Sequence, residues 1–147
     1  MFNGKNKPLV LASLCTASAT IAHLGCILFG GDWYRFFGAG EEMAILAEQG
    51  HWYPTVATSF ITLLLSIWTM YGLSAAKVIR RLPLTRLALV LISMIFLSRG
   101  IMFTWLIPMF PENGLIFWLV SSGICLMIGL LFTLGTIQTW SQLSNQR

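Results

Sequence analysis

Four apolar runs constrain this chain more than any other feature of its sequence. They cover residues 8–30, 54–77, 87–109 and 115–140. Each is long enough for a helix across a hydrocarbon layer of about 30 Å, which takes roughly 20 residues. Only 10% of the residues are charged, against about 25% in a typical soluble domain. So few charges cannot cover a globule with polar surface, and the sequence therefore predicts an all-α membrane protein with the lipid bilayer as its solvent.

Basic and acidic residues alternate between the connections of the four runs. The connections before the first run, between the second and third, and after the fourth contain Lys5, Lys7, Lys77, Arg80, Arg81, Arg86 and Arg147. The other two contain all the acidic residues and a single basic one, Arg35. Because cytoplasmic loops carry the excess of Lys and Arg, we predict an antiparallel four-transmembrane-helix bundle with both termini in the cytoplasm. Basic residues at the ends of apolar runs also exclude nucleic acid as the partner.

Small and hydroxylated side chains recur at helical spacing along three of the runs. The stripes are Ala12, Thr16, Ala19, His23, Cys26 and Gly30 in the first run, Thr55, Thr58, Thr62, Ser66 and Thr69 in the second, and Ser122, Cys125, Gly129, Thr133 and Thr136 in the fourth. Such stripes favour helix–helix contact, because small residues permit close approach and hydroxyls bond between helices. Two interpretations stay open: a packed bundle interior, or a polar cavity lined by hydroxyls.

Arg99 is the charged residue of the segment "LISMIFLSRGIMFTWLIP". An arginine at the centre of a membrane helix costs about 2.5–3.5 kcal/mol on insertion scales, so its guanidinium should face inward and meet an acceptor. A rise of about 1.5 Å per residue places His23, Thr58 and Ser122 near the level of Arg99, in the outer half of the membrane. We predict that these side chains line an outward-facing ligand pocket.

The connection "GDWYRFFGAGEEMAILAEQGHWYP" supplies the nearest acids to Arg99. Its stretch "EEMAILAE" predicts a short interfacial helix with two acids in the first turn, where the helix dipole favours them. One hypothesis is a lid in which Glu41 or Glu42 pairs with Arg99 and belongs to the ligand site. The alternatives are solvated acids, with Arg99 bound to backbone carbonyls near Gly30 or Ser121 or extended toward the headgroups.

The strings "AHLGCILFGGDWYRFFGAGEEMA", "LPLTR" and "FLSRG" resemble small four-helix bacterial inner-membrane proteins of uncharacterised function. The resemblance implies a bacterial inner membrane as the location. It implies no site and no chemistry.

Three functions are compatible with this sequence. The first is binding of a small amphiphilic or anionic ligand, such as a lipid, a quinone or an anionic metabolite, in the pocket around Arg99. The second is an accessory or assembly subunit that docks on a larger membrane complex. The third is a membrane enzyme that uses Glu41 or Glu42 with His23 as an acid/base pair, and a small transporter would require a homodimer. The cysteines lack the spacing of a metal site or a disulfide framework, so we predict no metal and name no cofactor.

Overall fold

The computed structural model describes residues 5–111 and 113–144, except for the side chain of Ser144. Glu112 and Arg147, which contribute to the predicted orientation, lie outside this part of the chain. The regular elements of the described residues are all helical, which confirms the predicted all-α class. The helices are α1 (Lys7–Phe29), α2 (Gly31–Phe36), α3 (Glu41–Glu48), α4 (Trp52–Ala75), α5 (Thr85–Ile101), α6 (Phe103–Leu106) and α7 (Leu115–Ser144), with a 3₁₀ turn at Ile107–Met109.

Three of the described helices are long and apolar enough to cross a membrane. These are α1 and α4, with 23 and 24 residues, and α7, with a candidate span of 29 residues. Asn6 caps α1, since its side chain accepts a hydrogen bond from the backbone N–H of Leu9, and Pro8 stands in the first turn, where a missing N–H costs little. The predicted helix "EEMAILAE" is present as α3, whereas α2 was not predicted.

The third apolar run, predicted as a span over 87–109, is not one straight helix. α5 has 17 residues, which gives it a length of about 25 Å. The chain then bends by 66° at Met102 into the segment Phe103–Met109. Pro108 stands in the closing 3₁₀ turn, where its ring and missing N–H prevent the helix from resuming. The candidate spans number four only if this bent pair counts as one.

The long helices pack as two pairs, α1 with α4 and α5 with α7. The two pairs meet mainly where α1 contacts α7. Near one end, the Asn6 side chain donates to the Gln138 side chain at 2.8 Å, so the start of α1 lies beside the end of α7. The shared core is apolar, and the rings of Phe96 and Phe132 stack within it with centroids 6.1 Å apart.

The hydroxyl stripes face inward except at Thr55, which is exposed, and most of their hydroxyls bond within their own helix. Thr62 and Gly129 are buried, as predicted. The hydroxyls that donate to the carbonyl four residues earlier include those of Ser13, Thr16, Thr62, Ser66, Thr69, Ser93, Thr133, Thr136 and Thr139. The expectation that these groups bond between helices was therefore wrong, because the local carbonyl satisfies them first. This pattern favours a packed interior over a cavity lined by hydroxyls.

Candidate ligand-binding site around Arg99

Arg99 lies in the last turn of α5 and points at the first turns of α7. Its Nη2 donates to the Ser121 Oγ at 3.2 Å. The central carbon of its guanidinium lies 5.3 Å from the centroid of the Trp118 ring, within the range of a cation–π contact. A hydroxyl and an aromatic face therefore meet the charge, and no carboxylate of the described residues pairs with it.

The contact between α5 and α7 is called the seam below. Three of its buried polar atoms have no hydrogen-bond partner among the described residues: Arg99 Nη1, Trp118 Nε1 and Ser122 Oγ. Trp118 is 2% exposed and Ser122 is 3% exposed. Both belong to the face of α7 that carries Ser121, since residues three and four apart on a helix are neighbours. A buried polar group without a partner costs about 1–3 kcal/mol. The seam thus contains polar groups to which the described residues offer no hydrogen-bond partner.

Close approach of α5 to α7 creates this seam. A Cβ on Gly100 would lie 2.5 Å from the Leu126 Cγ and 3.0 Å from its backbone nitrogen, so only glycine permits the observed spacing. The neighbouring residue, Arg99, is consequently held against α7. Two further aromatic rings pack against Trp118: the Phe117 centroid lies 5.8 Å from that of Trp118, and the Phe110 centroid lies 6.2 Å from it.

The connections around α2 and α7 meet above the site. The Asn113 side chain donates to the Gly38 carbonyl at 3.0 Å. Gly38 has a φ of 67°, and the Phe117 ring occupies the space that a Cβ at Gly38 would need. Phe117 directly precedes Trp118, so these contacts place the Arg99 site at the same end of the molecule as α2 and α3.

The unfilled groups define the chemistry that would complement them. The guanidinium is a permanently charged donor, the indole N–H can only donate, and the serine hydroxyl can donate or accept. Two obligate donors, one of them cationic, call for a hydrogen-bond acceptor, and they favour an anionic acceptor because charge-assisted bonds are stronger. Within the described part of the chain, no three His, Cys, Asp or Glu side chains are grouped to hold a metal ion.

The predicted pairing of Glu41 or Glu42 with Arg99 was wrong. Glu41 instead binds Arg35, with its carboxylate 2.8 Å from Nη2 and 2.9 Å from Nε. Arg35 also pairs with Glu48 and Asp32. The physical reason is proximity, since Arg35 belongs to the same connection as these acids and α2 lies against α3. The sequence analysis gave Arg35 no role and counted it only as an exception to the charge pattern.

Glu42 is exposed, and the structure gives it no contact with Arg99. The hydrogen bonds from Arg35 lower the pKa of Glu41 and Glu48 below their ordinary value of 4.5. Bonding to both carboxylates raises the pKa of Arg35 in turn. A carboxylate with a lowered pKa is a weak general base near neutral pH, which weighs against the acid/base role considered for Glu41.

His23 and Thr58 are engaged elsewhere. The His23 Nδ1 lies 2.8 Å from the Ala19 carbonyl, so this nitrogen donates, and His23 makes no hydrogen bond with Arg99. The Thr58 Oγ1 lies 3.0 Å from the Tyr34 Oη, which also donates to the Pro54 carbonyl at 3.2 Å. These two bonds fasten α2 to α4. Of the predicted companions of Arg99, Ser122 lies on α7 next to Ser121, which Arg99 contacts, and ligand binding by the predicted residues stays a prediction.

Trp118 was not among the predicted site residues. The available signal was spacing, since Trp118 and Ser122 are four residues apart and share a helical face. As acceptors for Arg99, backbone carbonyls near Ser121 were considered, whereas the Ser121 hydroxyl makes the contact.

Comparisons with protein-family models, with curated proteins and with solved structures found no match to this chain.

Proposed function

We propose that this protein is a four-span protein of the bacterial inner membrane, with both termini in the cytoplasm, that binds a small amphiphile or anion through Arg99. The observation that carries the proposal is the group of unpartnered buried atoms on Arg99, Trp118 and Ser122. An acceptor bound beside Arg99 would pair with the donor that the described residues leave without a partner. The charge segregation along the sequence supports the orientation, since it follows the positive-inside rule.

The surroundings favour a ligand with an apolar part. Met102 and Trp105 follow Arg99 at the bend, and both are exposed, at 48% and 76%. In the proposed membrane setting these side chains face acyl chains. A ligand that enters from this side would leave its apolar part among them and bring its headgroup to the guanidinium. A lipid, a quinone or a small anionic metabolite has the required acceptor.

Replacement of Arg99 by leucine tests this proposal. Arg99→Leu removes a partly satisfied cation from an apolar seam, so the protein should stay folded while its bound ligand is lost. The measurement is mass spectrometry of the small molecules and lipids that copurify with wild type and variant. Arg86→Leu is the matched control, because Arg86 also belongs to α5 and stacks on an indole, 3.4 Å from the Trp140 centroid, at the other end of the helix.

We expect one class of molecule to be enriched in wild type and in Arg86→Leu, and to be depleted by about tenfold or more in Arg99→Leu, as for loss of a charge-assisted bond. Equal amounts in all three samples would refute the ligand site. If none of them carries an enriched molecule, the accessory-subunit hypothesis replaces the binding hypothesis.

The proposed orientation predicts which loops a reagent reaches. In a variant without Cys15, Cys26 and Cys125, a single cysteine at Gln49 should react with a membrane-impermeant maleimide in intact cells. A single cysteine at Arg80 should react only after permeabilisation. Both positions are exposed, so burial in the protein does not decide the result. Labelling of position 80 in intact cells, or protection of position 49, would reverse the topology.

A further inference from the structure

A polar cavity lies at the end of the molecule opposite the Arg99 site, between the last turns of α4 and α7. Its volume is about 280 Å³. Its polar wall includes Lys77, Arg81, Thr139 and Gln142, and its apolar wall includes Ile79 and Leu143. Ligand sites of drug size usually measure about 300–1,000 Å³. This cavity is therefore of a size for a headgroup rather than for a whole amphiphile.

Lys77 occupies a backbone position that normally belongs to glycine. Its N–H donates to the Ser74 carbonyl, and the N–H of Val78 donates to the Leu73 carbonyl, which together form a Schellman motif at the end of α4. Lys77 is the left-handed residue of that motif, with a φ of 61°. A side chain in this conformation costs free energy that glycine would avoid. Lysine is nevertheless present at this position, and it lines the cavity.

Arg81 also lines the cavity, and it connects the loop between α4 and α5 to α7. Its Nη2 donates to the Gln142 carbonyl at 2.6 Å. The loop is also held from within, since the backbone N–H of Leu82 donates to the Ser74 Oγ at 2.9 Å. The two basic residues of the wall are thus carried by a loop whose position is fixed at both of its ends.

Basic side chains are concentrated at this end of the protein. Asp and Glu number five in the sequence, four of them within residues 32–48 and the fifth at Glu112. The loop between α4 and α5 carries Lys77, Arg80 and Arg81, and Arg86 follows in α5. Helix dipoles add little net negative charge here, because the starts of α1 and α5 offset the ends of α4 and α7 at this end. The concentration of basic side chains therefore favours an anionic ligand.

We infer that this cavity binds the phosphate headgroup of an anionic phospholipid in the adjacent leaflet. Lys77 and Arg81 face the phosphate, and Ile79 and Leu143 border the glycerol and upper acyl chain. The combination of basic and apolar walls favours a lipid over a free phosphate ion, and basic pockets between membrane helices are known to take such headgroups. This site is separate from the Arg99 site, although it rests on the same membrane placement.

Lys77→Gly and Arg80→Gln separate a built site from a diffuse positive surface. Lys77→Gly restores the residue that the left-handed position favours, so we expect a higher thermal unfolding midpoint together with weaker lipid binding. Arg80→Gln removes an exposed charge from the same loop without touching the cavity wall. Lys77→Gln keeps a long side chain without the charge, and it distinguishes loss of the ammonium group from a backbone effect of glycine.

The experiment is native mass spectrometry of the full-length protein in detergent, titrated with phosphatidylglycerol or with phosphatidylcholine of the same acyl chains. We expect wild type to prefer phosphatidylglycerol. Lys77→Gly and Lys77→Gln should each weaken that binding about fivefold, the factor that one basic residue near an anionic lipid surface contributes, and Arg80→Gln should weaken it by less. Occupancy of the Arg99 site should be unchanged in all three variants, so failure here is distinguishable from failure of the proposed function.

Three results would overturn the inference. Equal losses in the Lys77 and Arg80 variants would show a diffuse surface. Equal binding of the two lipids by wild type would show that charge does not select the ligand. Displacement of the lipid by millimolar inorganic phosphate would assign the cavity to a free anion instead.

Discussion

Gly100→Val is expected to force α5 away from α7 and to disrupt the Arg99 site together with the fold. A Cβ at this position would lie 2.5 Å from the Leu126 Cγ and 3.0 Å from the Leu126 backbone nitrogen. The side-chain atom can move, but the backbone nitrogen can move only with the helix. Overpacking of this kind costs about 1–3 kcal/mol, and more where backbone must shift. The measurement is thermal unfolding in detergent, followed by circular dichroism.

Gly123→Val is the matched control for this substitution. Gly123 belongs to α7 and is exposed, and a Cβ there would meet nothing within 4 Å. Replacing glycine by valine at an open helical position should not lower the unfolding midpoint, because glycine is the poorer helix former. If Gly100→Val unfolds at the same temperature as Gly123→Val, the close approach of α5 and α7 does not contribute to stability as argued.

The sequence was sufficient to predict the helices and their buried faces, because both follow from local patterns. Apolar runs of spanning length identify α1, α4 and α7, and the small residues at helical spacing identify the faces that pack. The bend at Met102 was missed because the run stays apolar through it. Hydropathy does not register a change in helix direction, and the Pro108 that prevents resumption of the helix stands near the end of the run.

The site was predicted less well than the helices, because its contacts join residues of different helices and depend on how those helices pack. The sequence indicated that Arg99 needs an acceptor, and that inference came from the cost of a buried charge. It could not indicate that Arg35 would take Glu41 first, since that competition depends on how α2 and α3 fold against each other. The donor group at Trp118 likewise becomes part of the site only through the register of α5 on α7.

The packing also shows why Arg99 lies where it does. Gly100 brings the α5 backbone against α7, and the residue before it must then place its side chain at the same seam. A long cation there reaches the first turns of α7, where Trp118 and Ser121 meet it. The close packing and the polar site therefore have one structural cause, and substitutions in α7 that leave the glycines unchanged test the polar site without disturbing that packing.

Ser122→Ala is such a substitution, and it is expected to stabilise the ligand-free protein while it weakens ligand binding. The Ser122 Oγ is buried and has no hydrogen-bond partner among the described residues. Leaving such a group unpaired costs about 1–3 kcal/mol, and alanine removes it with little loss of volume. Trp118→Phe should act in the same direction through loss of the unpaired indole N–H, with a smaller gain because part of the ring is also lost.

Ser93→Ala is the control that makes this result interpretable. Ser93 is also buried in a helix of the same pair, but its hydroxyl donates to the Leu89 carbonyl at 2.8 Å. Alanine there removes a satisfied group and should not raise the unfolding midpoint. The decisive measurement compares unfolding midpoints with and without the copurified ligand, since a ligand that binds only the folded state raises the midpoint by mass action. A ligand-induced rise that is smaller in Ser122→Ala than in Ser93→Ala supports the site. An equal rise in both would mean that the hydroxyl of Ser122 does not meet the ligand.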